Sequence, residues 1–177
     1  MQSTMRTRPR VGGPRKLALA GFLVCAGLIG IALYLQYVRN LEPCPLCMMQ
    51  RVFFVALGLV FLIAAIAAPK GFFIRIYGVV AMALAVVGAG FATRHVWLQW
   101  NPPENESCSA DLFTMFDRLP FFSVIQKALI ATGDCAKVDW TLLGLSIAEW
   151  SLLWFVALAI LSLVYLTRMP RKRSNWL

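Results

Sequence analysis

Two cysteines separated by two residues, Cys44-Pro45-Leu46-Cys47, can form and break a disulfide without either thiol leaving the other's reach. The thiolate is the attacking species in such exchange. On the loop-entropy model a four-residue ring stabilises a fold by only about 2 kcal/mol, against about 3.5 kcal/mol for the 28-residue loop between Cys108 and Cys135. The short ring is thus a poor staple and a good redox couple. Four such cysteines allow three pairings, and proximity favours Cys44 with Cys47, leaving Cys108 with Cys135. By spacing alone the second pair reads as a structural bridge at least as readily as a redox pair. Haem attachment needs a histidine after the second cysteine, where Met48 stands. A zinc site needs two further ligands, but Cys108 and Cys135 lack a second CxxC spacing and the chain has one histidine. No metal is expected. Cys25 falls inside an apolar run and reads as an inert small hydrophobe.

Two polar side chains flank this chemistry. Arg51 follows Cys47 by four residues, so on a helix beginning near Met48 the two share a face. An arginine at the mouth of a span can snorkel to lipid headgroups. Alternatively, its guanidinium binds a carbonyl oxygen of a small ligand beside Cys47, one that gains negative charge on reduction. His95 is open to the same two readings: an interfacial anchor, or a donor of a hydrogen bond or proton to that ligand.

The elements that position these residues belong to a membrane protein. Of 177 residues, 60% are hydrophobic and 14% charged, whereas soluble domains average about 45–50% and about 25%. One domain of this length cannot hide that excess in a water-soluble core. Apolar runs at 17–36, 52–68, 76–92 and 150–167 approach the roughly 20 residues that a helix needs to cross a bilayer. With their flanks they give spans of about 17–36, 50–68, 73–92 and 148–167. The fold class is therefore all-α, a four-helix transmembrane bundle in a single domain. The first run is too long for a signal-peptide core and no A-x-A site follows it, so it reads as an uncleaved span.

Charge orients the bundle. The N-terminal tail (Arg6, Arg8, Arg10, Arg15, Lys16), the turn with Lys70 and Arg75, and the C-terminal tail (Arg168, Arg171, Lys172, Arg173) contain no acid. All eight acidic residues lie on the other side. The positive-inside rule then places both termini in the cytoplasm, and loops 37–49 and 93–147 on the periplasmic side of an inner membrane. The net charge of +9 is a topology signal, and no nucleic-acid partner is implied. That compartment is oxidising, so disulfides persist there. Within the long loop, residues 111–122 are heavily aromatic, which suits a short interfacial helix or a patch packed on the bundle.

Several motifs spread along the chain carry a resemblance. They are Glu42-Pro43-Cys44-Pro45-Leu46-Cys47 with Gln50-Arg51, Ala68-Pro69-Lys70, His95, and Thr132-Gly133-Asp134-Cys135-Ala136 followed by Trp140, Leu143-Gly144-Leu145 and Trp150. On these residues the sequence resembles the disulfide bond formation protein B (DsbB) family. The basic N-terminal tail and residues 101–107 are the parts least like it. The resemblance implies a quinone-dependent protein-disulfide oxidoreductase that reoxidises periplasmic DsbA and passes electrons to a membrane quinone, ubiquinone or menaquinone. It implies that Cys108 forms the mixed disulfide with DsbA, that Cys135 is its partner, and that Cys44 receives electrons from this loop pair. It also implies that Cys47 lies against the quinone as a thiolate, with Arg51 and His95 bordering the ring. Rival readings are a quinone-linked reductase of the vitamin K epoxide reductase type and a non-enzymatic membrane scaffold or small transporter. A scaffold predicts no turnover. No intramembrane acid or inverted repeat marks a transport path.

Overall fold

The computed structural model describes residues 12–41, 43–67, 72–102 and 141–167. The loop cysteines Cys108 and Cys135, the aromatic segment 111–122, most of the basic tails and the turn at 68–71 lie outside the described residues. Four helices carry the fold: α1 (Gly12–Val38), α2 (Pro45–Ala67), α3 (Phe72–Trp100) and α4 (Ile147–Thr167). A two-stranded hairpin of β1 (Thr141–Leu142) and β2 (Leu145–Ser146) precedes α4. All four helices are long and apolar enough to cross a membrane. Their outward faces carry Leu23, Ile66, Val79, Val86 and Leu163, exposed side chains that lipid and not water would solvate.

Helix ends follow from local chemistry. Asn40 takes a left-handed conformation (φ 52°) just past α1, and the Leu41 N–H turns back to the Leu35 carbonyl at 3.3 Å. α2 starts at Pro45, earlier than the expected start near Met48, because proline is pre-set for a first helical position and Cys44 caps it. α3 continues past the third apolar run to Trp100, since nothing between Ala92 and Asn101 breaks a helix. Pro102 then ends it, with Asn101 bonded to the Trp97 carbonyl through both its backbone N–H (2.9 Å) and its side-chain amide (3.3 Å). α4 opens with a capping box. The Ser146 N–H donates to Glu149 Oε2 at 2.7 Å and the Glu149 N–H donates to Ser146 Oγ at 3.3 Å.

Packing is organised by small residues. The buried positions of α3 include Ile74, Gly78, Ala81, Ala85, Gly88, Ala92 and His95, spaced alternately four and three apart. Small side chains in such a seam let helices approach closely where no hydrophobic drive separates protein from lipid. Phe155 of α4 fills the space over Gly88, and Leu166 that over Gly78. Phe54 of α2 stacks on Phe155 with centroids 4.0 Å apart and planes 6° from parallel. Cys25 of α1 faces Gly58 of α2 and is 2% exposed, which fits the small-hydrophobe reading.

Candidate functional site

The CxxC sits at the N-terminus of α2, where backbone N–H groups lack helical partners. Cys44 is the N-cap residue. Its carbonyl accepts the first helical bond, from the Met48 N–H at 3.1 Å. Its sulfur takes the place usually filled by a serine or aspartate oxygen, accepting from the Cys47 N–H at 3.3 Å. The two sulfurs are thiols 3.0 Å apart, both partly buried. Beside them Leu46, Met49, Phe91 and Leu98 form a small apolar cluster that Cys44 packs against. Negative charge developing on Cys44 Sγ meets a helix N-terminus and a directed N–H, both of which stabilise it.

His95 reaches this sulfur from α3. It continues the small-residue seam, which turns it inward and leaves it 2% exposed. Its Nε2 lies 3.6 Å from Cys44 Sγ, and its Nδ1 lies 3.2 Å from Gln50 Nε2. In this orientation of the Gln50 amide Nδ1 is the acceptor and the neutral ring carries its proton on Nε2, toward the sulfur; with the amide turned over the two roles exchange. Gln50 is itself 2% exposed, so this contact is made in a dry setting where an unmade bond is costly. His95 is thus a buried ring held between Cys44, the cap of α2, and Gln50 within it.

Arg51 shares the Cys47 face of α2, and it too points inward. Its Nη1 donates to Gln36 Oε1 of α1 and lies 3.9 Å from Met48 Sδ, while its Nη2 donates to the Ala32 carbonyl at 3.2 Å. The guanidinium therefore crosses to α1. Helix α2 stands between the two polar residues, with Gln50 turned to α3 and Arg51 to α1.

These residues open onto one cavity of about 360 Å³. Leu28, Ile31 and Ala32 of α1 and Trp150, Ser151 and Trp154 of α4 form its side walls. Cys44, Cys47, Gln50, Arg51, His95 and Gln99 are among its polar groups. Gln99 accepts from Ser146 Oγ at 2.7 Å, tying the end of α3 to the start of α4. Four of the six expected site residues thus converge, and the other two, Cys108 and Cys135, lie outside the described residues.

The family model described as "Disulfide bond formation protein DsbB" matches residues 14–165. The chain belongs to the DsbB family. Proteins named "Disulfide bond formation protein B" match it over most of their length. The one from Xanthomonas campestris pv. campestris (strain 8004) is 45% identical over 90% of this chain and 95% of its own. That from Methylococcus capsulatus is 47% identical over 85% and 92%. That from Marinobacter nauticus is 44% identical over 88% and 93%. This DsbB chain is accordingly a multi-pass membrane protein of disulfide bond formation. The sequence reading gave no role to Gln50, Gln36 or Ser146. Only the capping pattern at Ser146 and the position of Gln50 three residues after Cys47 were there to be read.

Proposed function

We propose that this DsbB chain is an inner-membrane thiol oxidase that reoxidises a periplasmic DsbA-type protein and delivers the two electrons to a membrane quinone. The observation that carries the reading is the opening of the Cys44–Cys47 pair into an apolar cavity bordered by one arginine and one histidine. Its volume, about 360 Å³, lies in the range of small-molecule sites, roughly 300–1,000 Å³ lined mainly by apolar groups. Leu28, Ile31, Phe54 and Trp154 suit a prenylated ring, and Arg51 and His95 are donors suited to carbonyl oxygens. A bound ubiquinone or menaquinone would supply a two-electron sink more oxidising than the thiols.

The rest is done by the chain. A DsbA thiolate attacks Cys108 Sγ, forming a mixed disulfide and releasing Cys135 as a thiolate. Cys135 then attacks Cys44 in the Cys44–Cys47 disulfide, or the second DsbA thiol resolves the complex first. Each exchange makes one S–S bond and breaks one, and Cys47 emerges as the leaving thiolate in the cavity wall. Helix α2 stabilises charge at Cys44 through its N-terminal N–H groups. His95, held by Gln50, exchanges a proton at Cys44 Sγ, and Arg51 provides fixed positive charge beside Cys47. The basic tails keep the termini cytoplasmic, so this end of the bundle faces the periplasm.

The test is purified protein with quinone and reduced DsbA, following quinone absorbance and trapping thiols. Turnover lost in Cys44→Ser and in Cys108→Ser supports the relay. Quinone reduction by DsbA that persists in either variant sinks it.

A further inference from the structure

We propose that the reduced CxxC is also a binding site for a thiophilic divalent cation of the Zn²⁺ type, with Cys44, Cys47 and His95 as its three protein ligands. Sequence spacing offers no third ligand next to the CxxC; the fold supplies one from a position 51 residues away. The two sulfurs and a ring nitrogen of His95 all lie within 4.8 Å of one another. Two of the separations are 3.0 Å, between the sulfurs, and 3.6 Å, between Cys44 Sγ and His95 Nε2. A tetrahedral ion with Zn–S of about 2.3 Å and Zn–N of about 2.0–2.1 Å has S–S edges of about 3.8 Å and S–N edges of about 3.5 Å. The Cys44–His95 edge already fits, the Cys47–His95 edge lies within 4.8 Å, and the sulfurs need to part by less than about 1 Å, within reach of small side-chain rotations.

The surroundings suit a metal as well. A ligating histidine is normally oriented by a hydrogen bond at its other nitrogen. Gln50, buried on Nδ1, fills that place: with its amide turned over, Oε1 accepts from Nδ1–H and leaves Nε2 bare for the ion. The fourth position opens on the cavity, where water completes the shell, as in open three-ligand zinc sites. Binding converts both thiols to thiolates and releases two protons. The same two sulfurs cannot be a disulfide and a ligand pair at once, so the ion holds the site reduced and oxidation expels it. Arrest of turnover rests on the oxidase reading above; the binding itself does not.

The experiment uses the chain with Cys108→Ser and Cys135→Ser, reduced in detergent, and Co²⁺ as the spectroscopic probe. One equivalent should give thiolate-to-cobalt charge transfer and the intense visible bands of a tetrahedral site, both erased by one equivalent of Zn²⁺. The same protein oxidised to the Cys44–Cys47 disulfide should give neither, a comparison that needs no further variant. His95→Ala should weaken binding at least 10-fold, and Gln50→Ala by about 10–100-fold, the usual cost of losing an orienting partner. Absence of the tetrahedral bands, equal binding by the oxidised form, or a His95→Ala affinity equal to the parent would overturn the site. Quinone reduction by metal-free wild-type chain is measured in parallel; its absence sinks the oxidase reading and leaves the binding result standing.

Discussion

Gln50 and His95 meet between α2 and α3 with the amide nitrogen 3.2 Å from Nδ1, and that contact decides which ring nitrogen faces Cys44. His95 is the chain's only histidine, so its state can be read without assignment. In ¹⁵N-histidine spectra the neutral reduced protein should show the Nε2–H tautomer. Gln50→Glu, an acceptor in its ionised form, should move the proton to Nδ1 and turn a bare Nε2 toward the sulfur. An unchanged tautomer in that variant would remove Gln50 as the orienting group.

Gln50→Leu removes the partner without replacing it. Losing a buried hydrogen bond costs about 0.5–1.5 kcal/mol, so a lower unfolding midpoint is expected. Turnover should fall about tenfold, less than the roughly 10²–10⁴-fold cost of losing acid–base help outright, because His95 itself remains. The fall should appear in kcat for thiol oxidation, because Gln50 acts on the proton that His95 exchanges at Cys44. A change confined to KM would place Gln50 on the ligand instead.

Arg51 gives the opposite signature. Its two-pronged hold on Gln36 and the Ala32 carbonyl fixes a cation in the cavity wall. Hydrogen bonds to charged groups contribute about 1.5–3 kcal/mol, so Arg51→Ala should raise KM for quinone about 10–100-fold. Arg51→Lys should recover only part, since an ammonium cannot reproduce the planar fork. Steady-state kinetics with a short-chain quinone make the comparison, and an unaltered KM in Arg51→Ala would detach Arg51 from the ligand.

The core makes a paired prediction at two glycines of α3. A Cβ at Gly88 would fall well inside van der Waals contact of Phe155 Cε1, and Phe155 is pinned by its stack on Phe54. Gly88→Ala should therefore destabilise by about 1–3 kcal/mol, the usual cost of overpacking. At Gly90 nothing lies within 4 Å, and alanine should be tolerated. Unfolding in mixed micelles distinguishes the two, and Phe54, which lines the cavity, carries any displacement to the site.

These relationships differ in how visible they were beforehand. The four helices follow from apolar runs of spanning length, and the shared face of Cys47 and Arg51 follows from helical periodicity; both depend only on local spacing. The approach of His95 to Cys44 depends on how α3 packs against α2, which spacing within either helix cannot express. A trace of it was present: Gly78, Ala81, Ala85, Gly88 and Ala92 mark a close-packing seam, and His95 is its next member. The hairpin before α4 was hidden for another reason. Its turn uses Leu143 and Gly144 at φ 56° and 82°, where asparagine-glycine is the usual signal, so leucine's dislike of that region masks it.

The last prediction concerns Ser146, which joins that hairpin to α4 and to the cavity. Its hydroxyl accepts from the Glu149 N–H and donates to Gln99 Oε1, so one side chain both caps α4 and ties it to α3. Ser146→Ala should cost about 1 kcal/mol from the cap alone. It also leaves Gln99, a cavity-lining residue, without that donor. Glu149→Gln keeps the capping pattern and should cost less, because glutamine still accepts from the Ser146 N–H. If the tie to α3 matters beyond the cap, Ser146→Ala and Gln99→Leu will be less than additive in stability. Additive effects would mean that the hydroxyl serves the helix end only.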